Sequence, residues 1–208
     1  MEGKTFRGFV AIGVPDEIKS FIRVFTGEAA KHLPNCRFVD VKNLHLTLQF
    51  LGNSVSESLV PDISQVIYET VRATAPFEIS LGDAGTFPEK GRPRVFYVGL
   101  SRGRQETTNL ALNLQSRLRE MGFKEDASFE PHLTLARLKD RRGPRTGGEV
   151  DLRKYWQDMY ADFKTKHLSE SGSDLALSWT ADKVALIKSE LSSIGPVYSV
   201  VSEHFLGQ

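Results

Sequence analysis

Two stretches of the chain alternate leucine with polar residues at a period of two: Leu44-His45-Leu46-Thr47-Leu48-Gln49-Phe50-Leu51-Gly52 and Pro131-His132-Leu133-Thr134-Leu135-Ala136-Arg137. That period belongs to a β-strand with one apolar and one polar face. It predicts Leu44, Leu46, Leu48 and Phe50 on one face of the first strand, and His45, Thr47 and Gln49 on the other. In the second strand His132 and Thr134 share a face opposite Leu133 and Leu135. A single His-x-Thr on a strand is most simply a solvated sheet face. Its second occurrence, 87 residues on (132 − 45), makes chemistry the better reading.

The rest of the pattern repeats in the same order. Phe6 to Val14 reads as a strand ended by Pro15, and Asp16 is placed to cap a helix with the apolar stripe Ile18, Phe21, Ile22, Phe25, Ala29 and Leu33. Arg37 to Val41 leads into the first His-x-Thr strand, and Asn43 either points into the same face as His45 or merely turns the chain. Gly52-Asn53-Ser54 reads as a turn and N-cap before a helix carrying Leu59, Ile63, Val66, Ile67 and Val71, with Pro61 in its first turn. Phe77, Ile79 and Leu81 form a strand, and Gly85 to Arg94 a turn-rich connection. Then Val95-Phe96-Tyr97-Val98-Gly99-Leu100 echoes Phe9-Val10-Ala11-Ile12-Gly13-Val14 at an offset of 86 (95 − 9). A helix with Leu110, Ala111, Leu114, Leu118 and Met121, closed by Gly122, precedes the second His-x-Thr strand. A helical segment with Tyr155, Trp156, Met159, Tyr160 and Phe163 reads as core packing. Leu175 to Ser189 and Pro196 to Phe205 read as a closing strand pair. The order strand, helix, His-x-Thr strand thus occurs twice, which indicates an internal duplication about a pseudo-twofold axis.

The doubled motif, with Leu48-x-Phe50-Leu51-Gly52 after the first copy and Leu135-Ala136-Arg137 after the second, resembles the paired signature of the 2H phosphoesterases. Within them it is most similar to the RNA 2′,3′-cyclic phosphodiesterases, also called 2′-5′ RNA ligases. Leu186 to Leu191 with Gly195-Pro196-Val197-Tyr198 is similar to that family's C-terminal hairpin. The resemblance covers most of the chain and guides least over residues 140–170. The expected fold is α+β: one bilobal domain over residues 1–208, with two pseudo-symmetric lobes, each an antiparallel sheet with outer helices, around a central cleft.

Composition narrows the surroundings. A net charge of +1 excludes a globally basic coat, so any attraction for RNA comes from local patches, such as Lys90, Arg92 and Arg94 or Lys139, Arg141, Arg142 and Arg145. Cys36 is the single cysteine, which leaves no disulfide framework and no thiol cluster for zinc. No apolar run approaches the roughly 20 residues that span a bilayer, and the first residues lack a signal-peptide core. A cytoplasmic monomer that meets no membrane is the expectation.

Histidine suits both proton-transfer roles in opening a cyclic phosphodiester, because its pKa near about 6.5 makes either form available at neutral pH. Thr47 and Thr134 offer hydroxyl donors on the same faces. The residues alone leave the two histidines interchangeable. The resemblance implies that His132 is the general base and His45 the general acid, and that Arg137 joins the threonines in binding phosphate. Strict alternation sets Arg137 opposite His132, so this role requires a bulge or twist. Phe50 stands at the same offset as Arg137 and is a candidate nucleobase contact or a core residue. No HExxH or carboxylate-rich pattern calls for a metal or another cofactor. Glu130 can orient His132 or simply begin its strand, while His32, His167 and His204 read as surface residues. The implied substrate is RNA with a 2′,3′-cyclic phosphate end, or a small cyclic nucleotide, opened to a 2′-phosphomonoester with weak reversible 2′-5′ ligation. The alternatives are another 2′-5′ or cyclic nucleotide, and a module that binds RNA ends without turnover.

Overall fold

A computed structural model describes residues 4–126, 128–139, 151–169, 177–193 and 195–208. The first half opens with β1 (Thr5–Gly13), α1 (Asp16–His32), the short β2 (Cys36–Phe38) and β3 (His45–Ser56). After α2 (Val60–Val71) come β4 (Phe77–Phe87), β5 (Val95–Arg102), α3 (Arg104–Arg119) and β6 (His132–Leu138). Helix α4 (Leu152–Ser169) and strands β7 (Ser178–Ala181), β8 (Lys183–Ser192) and β9 (Gly195–Phe205) complete the fold. The fold is α+β and the pairing antiparallel, as expected.

The strands join in the order β7-β4-β5-β6-β3-β1-β8-β9, with β2 added beside β6. The order is symmetric about the β3–β6 seam: each motif strand is followed outward by the strand that precedes its own helix, then by two more. Leu46 lies opposite Leu133 at the seam, so the local pseudo-twofold passes between two leucines that are wholly buried. Leu48 and Leu135 are 1% exposed, and burying each such side chain is worth about 2 kcal/mol. The leucines therefore fix the register of both strands and, with it, the face on which the histidines stand.

Several boundaries differ from the sequence reading. Asp16 is the first residue of α1 rather than its cap; Pro15 holds the cap position, and Asp16 pairs with Lys19 at 3.1 Å. Residues Gly52 to Ser54 remain in β3; Ser56 caps the 3-10 turn Glu57–Leu59, its hydroxyl accepting from Ser58 N at 3.4 Å, and Leu59 holds the cap position of α2. The described part of the predicted strand 175–189, residues 177–189, is not one strand: β7 pairs with β4, whereas β8 pairs with β1 and β9, and residues 175 and 176 lie outside the described residues. Only Asp182 separates β7 from β8, and one intervening residue spans at most about 7 Å. The two ends of the sheet therefore approach each other, and the sheet curls. Its core face carries α1, α2, α3 and α4, with Phe25, Trp156 and Tyr160 among the largest buried side chains. Lys139 donates to Pro34 O at 3.0 Å, while Arg141, Arg142 and Arg145 lie outside the described residues.

Candidate active site

The antiparallel register with Leu46 opposite Leu133 sets His45 level with Thr134, and Thr47 level with His132. Both polar pairs thus meet on one face, crosswise. All four are half-buried, and among the described residues no hydrogen bond occupies either threonine hydroxyl.

Each histidine is oriented in the same way. His45 Nδ1 donates to Asn43 O and His132 Nδ1 to Glu130 O, both at 2.7 Å. A carbonyl can only accept, so Nδ1 carries hydrogen and Nε2 is left for the cleft. Asn43 acts through its backbone here, and its buried side chain donates to Pro196 O at 2.9 Å, which ties the start of β3 to β9. Glu130 also positions His132 through its carbonyl, while its carboxylate pairs with Arg104 at 2.7 Å.

Both motif strands are bulged at the same place. Against β1, Val10 pairs with Gln49 and Ala11 with Thr47, so Leu48 is the extra residue. Against β5, Phe96 pairs with Ala136 and Tyr97 with Thr134, so Leu135 is the extra one. A bulge shifts the alternation by one. Gln49 consequently turns inward and is 4% exposed, whereas Phe50 turns out at 43%, the reverse of the faces read from the sequence. The same shift follows Leu135, and Arg137 is exposed, its charge acting on both His45 and His132.

Aromatic rings enclose the imidazoles. Phe9 stacks on His45 with centroids 4.6 Å apart, and Tyr198 meets the same ring edge-on at 5.5 Å. Tyr97 and Phe87 flank His132 at 5.2 and 5.0 Å. Burial is the main reason both histidine pKa values fall below the ordinary 6.5, against the opposing pull of the carbonyl bonds. The charges around them differ. Arg137 lowers both; His132 lowers His45 further, whereas Glu130 and Asp126 pull His132 back up.

Arg7 covers Phe50: its guanidinium carbon stands 4.4 Å from the ring centroid. Arg7 also donates to Asn53.

A family model described as the 2′-5′ RNA ligase superfamily matches residues 14–192. This chain belongs to the 2′-5′ RNA ligase superfamily. An RNA 2′,3′-cyclic phosphodiesterase of Aquifex aeolicus is 35% identical over 175 residues, covering 82% of this chain and 82% of that protein. One from Thermotoga maritima is 28% identical over 197 residues, covering 95% and 94%. Among solved structures, TT0787 of Thermus thermophilus aligns with a TM-score of 0.71 at 28% identity, over 97% of this chain and 98% of that one. E. coli LigT complexed with 3′-AMP aligns with a TM-score of 0.70 at 25% identity, over 99% and 100%.

In this superfamily member, sequence reasoning missed Phe9, Tyr97 and Tyr198 as walls of the site. Phe9 and Tyr97 lay in recognised strands, and their parity relative to the bulges was the missing information. Tyr198 comes from the last strand, and its approach to His45 depends on how the sheet curls.

Proposed function

We propose that this protein hydrolyses RNA 2′,3′-cyclic phosphate ends, leaving a 2′-phosphomonoester. His132 Nε2 takes the proton of the attacking water, and His45 Nε2 delivers one to the departing ribose 3′ oxygen. Thr47 and Thr134 donate to the phosphoryl oxygens, Arg137 neutralises their charge, and Phe50 flanks the nucleobase. The observation that carries this reading is the crosswise placement of two histidines whose Nδ1 atoms are both spent on carbonyls. A site that only binds RNA ends has no use for a second such imidazole. The names of the relatives support the substrate. Small cyclic nucleotides fit the same centre.

We further infer a cytoplasmic monomer. Cys36 is buried and unpaired, which suits a reducing compartment, and no helix among the described residues is long and apolar enough to cross a membrane.

Incubation with a short cyclic-phosphate-ended RNA, beside the free cyclic mononucleotide, tests the proposal. The expected result is conversion of the RNA end to a phosphomonoester. Tight binding without turnover of either substrate would make the protein an RNA-end-binding module instead.

A further inference from the structure

The wall around His45 continues into side chains that the proposed chemistry does not use. On β1, Arg7 stands two residues before Phe9, the ring stacked on His45, and β1 pairs with β8 without a bulge from Arg7 to Ala11. Arg7 therefore shares the face of Phe9, about 7 Å along the strand. It lies opposite Ser189, and Ser189 lies opposite Tyr198 of β9, so Arg7 and Tyr198 stand in one line across the cleft face. From the other half of the sheet, Arg137 lies opposite Arg37 of β2. The guanidinium of Arg37 reaches the first residue of β9: a Cβ added at Gly195 would fall 3.0 Å from Arg37 Nη2. Arginines from three strands thus gather around the start of β9.

These cations are not neutralised. Arg7, Arg37 and Arg137 are exposed, and among the described residues none of them pairs with a carboxylate, whereas Arg102, Arg104, Arg117 and Arg119 each do. Glu57 and Glu190 pair instead with Lys188, which lies opposite Gly8 and so belongs to the other face. Burial pushes the Tyr198 phenol above its ordinary pKa, and the charges of Arg7 and Arg137 pull it back, so both cations act on the same hydroxyl. Like charges gathered without counter-charges repel one another, and an anion among them relieves that repulsion while accepting charge-assisted hydrogen bonds. Arg137 is already assigned to the cyclic phosphate, which leaves Arg7 and Arg37 for a second anion.

An RNA end carries its next negative charge on the phosphodiester at the 5′ side of the terminal ribose. Under the proposed roles that ribose lies on the His45 side, which leads the chain past His45 and Phe9 toward β1 and β9. We propose that Arg7, Arg37 and the Tyr198 hydroxyl form a subsite for this upstream phosphodiester, by which the enzyme prefers the end of an RNA chain to a free cyclic mononucleotide. The inference rests on the phosphodiesterase reading above. The subsite acts through binding alone: no bond at the upstream phosphate forms or breaks.

The test compares the hydrolysis of three probes. They are adenosine 2′,3′-cyclic phosphate, the dinucleotide ApA ending in a 2′,3′-cyclic phosphate, and the same dinucleotide with an uncharged methylphosphonate as its internal linkage. The dinucleotide should exceed the mononucleotide in kcat/KM by at least about tenfold, the scale of hydrogen bonds to a charged group, and added salt should erode that ratio. The methylphosphonate dinucleotide keeps both bases and should fall to the level of the mononucleotide. In the double variant Arg7→Gln, Arg37→Gln the ratio of dinucleotide to mononucleotide falls toward one. A methylphosphonate probe that keeps the full advantage overturns the subsite without any variant, because the bases alone then supply it. So does a dinucleotide with no advantage in the wild-type protein, or a wild-type ratio in the double variant. Absence of hydrolysis of every probe by the wild-type protein would instead remove the underlying phosphodiesterase reading.

Discussion

An imidazole can relay a proton at a defined atom only when its other nitrogen is committed. For His45 and His132 that commitment is a backbone carbonyl at 2.7 Å, so under the proposed mechanism the reacting atom is Nε2 in both. His45→Ala and His132→Ala should each lower kcat by at least about a hundredfold with the fold retained, the usual scale for loss of a general acid or base. Near-wild-type turnover in either purified variant would refute the paired mechanism. The pH profile follows from burial. Turnover needs one proton on the pair, so kcat/KM rises as the doubly protonated pair loses its first proton and falls as it loses the second. Both limbs belong to the pair. Since burial lowers both pKa values from 6.5, the maximum of kcat/KM should lie below pH 6.5. A plateau extending unchanged through pH 8 contradicts this. The carboxylates of Glu130 and Asp126 favour the proton on His132, while the proposed roles place it on His45. The shape of the bell is the same whichever histidine holds the proton.

At the scale of elements the bulges at Leu48 and Leu135 decide which side chains reach the site. The first is held by buried amides: Gln115 Nε2 donates to Leu48 O at 2.9 Å, and Gln49 Nε2 to Phe50 O and Lys124 O at 2.8 Å. Gln115 Oε1 also accepts from Asp126 N at 3.0 Å, which connects α3, β3 and the approach to β6. Gln115→Leu leaves these buried groups unpaired and should cost about 1–3 kcal/mol. Chemical denaturation reads the loss, and an unchanged midpoint would mean that the amide does not hold the bulge. Period-two alternation predicts both motif strands correctly as far as Thr47 and Thr134. It fails at Gln49 and Phe50 because a bulge has no periodic signature. Only the expected phosphate-binding role of Arg137 called for one. The break at Asp182 was harder to read, since strand-forming residues stand on both sides of it and partner choice is made by distant strands.

Across the whole molecule the duplication was legible, because offsets of 87 and 86 survive in the strands that carry the histidines. The pairings confirm them: Gly13 faces His45 as Gly99 faces His132, and Phe9 faces Phe50 as Val95 faces Arg137. The closing of the sheet, and with it the approach of Tyr198 to His45, was not legible. What matters for the outcome is where the two halves differ. Arg137 occupies the position that Phe50 holds in the other half, Tyr198 stands beside His45, and acidic groups stand beside His132 alone. A symmetric cleft would accept a cyclic phosphate in two orientations, whereas the proposed roles require one. An in-line displacement needs its nucleophile and its leaving oxygen on opposite sides of phosphorus, and the two strands fix that axis. The proposed roles put the base on β6 and the acid on β3, which sets the ribose on the β3 side with one oxygen toward His45. Under the proposed roles that oxygen is O3′, so phosphate stays on O2′ and every product end carries a 2′-phosphate. Treating the product with a phosphatase specific for 3′-phosphates should release nothing, whereas a general phosphatase releases all of it. Full release by the specific enzyme would mean that the ribose is turned over in the cleft and that O2′ departs.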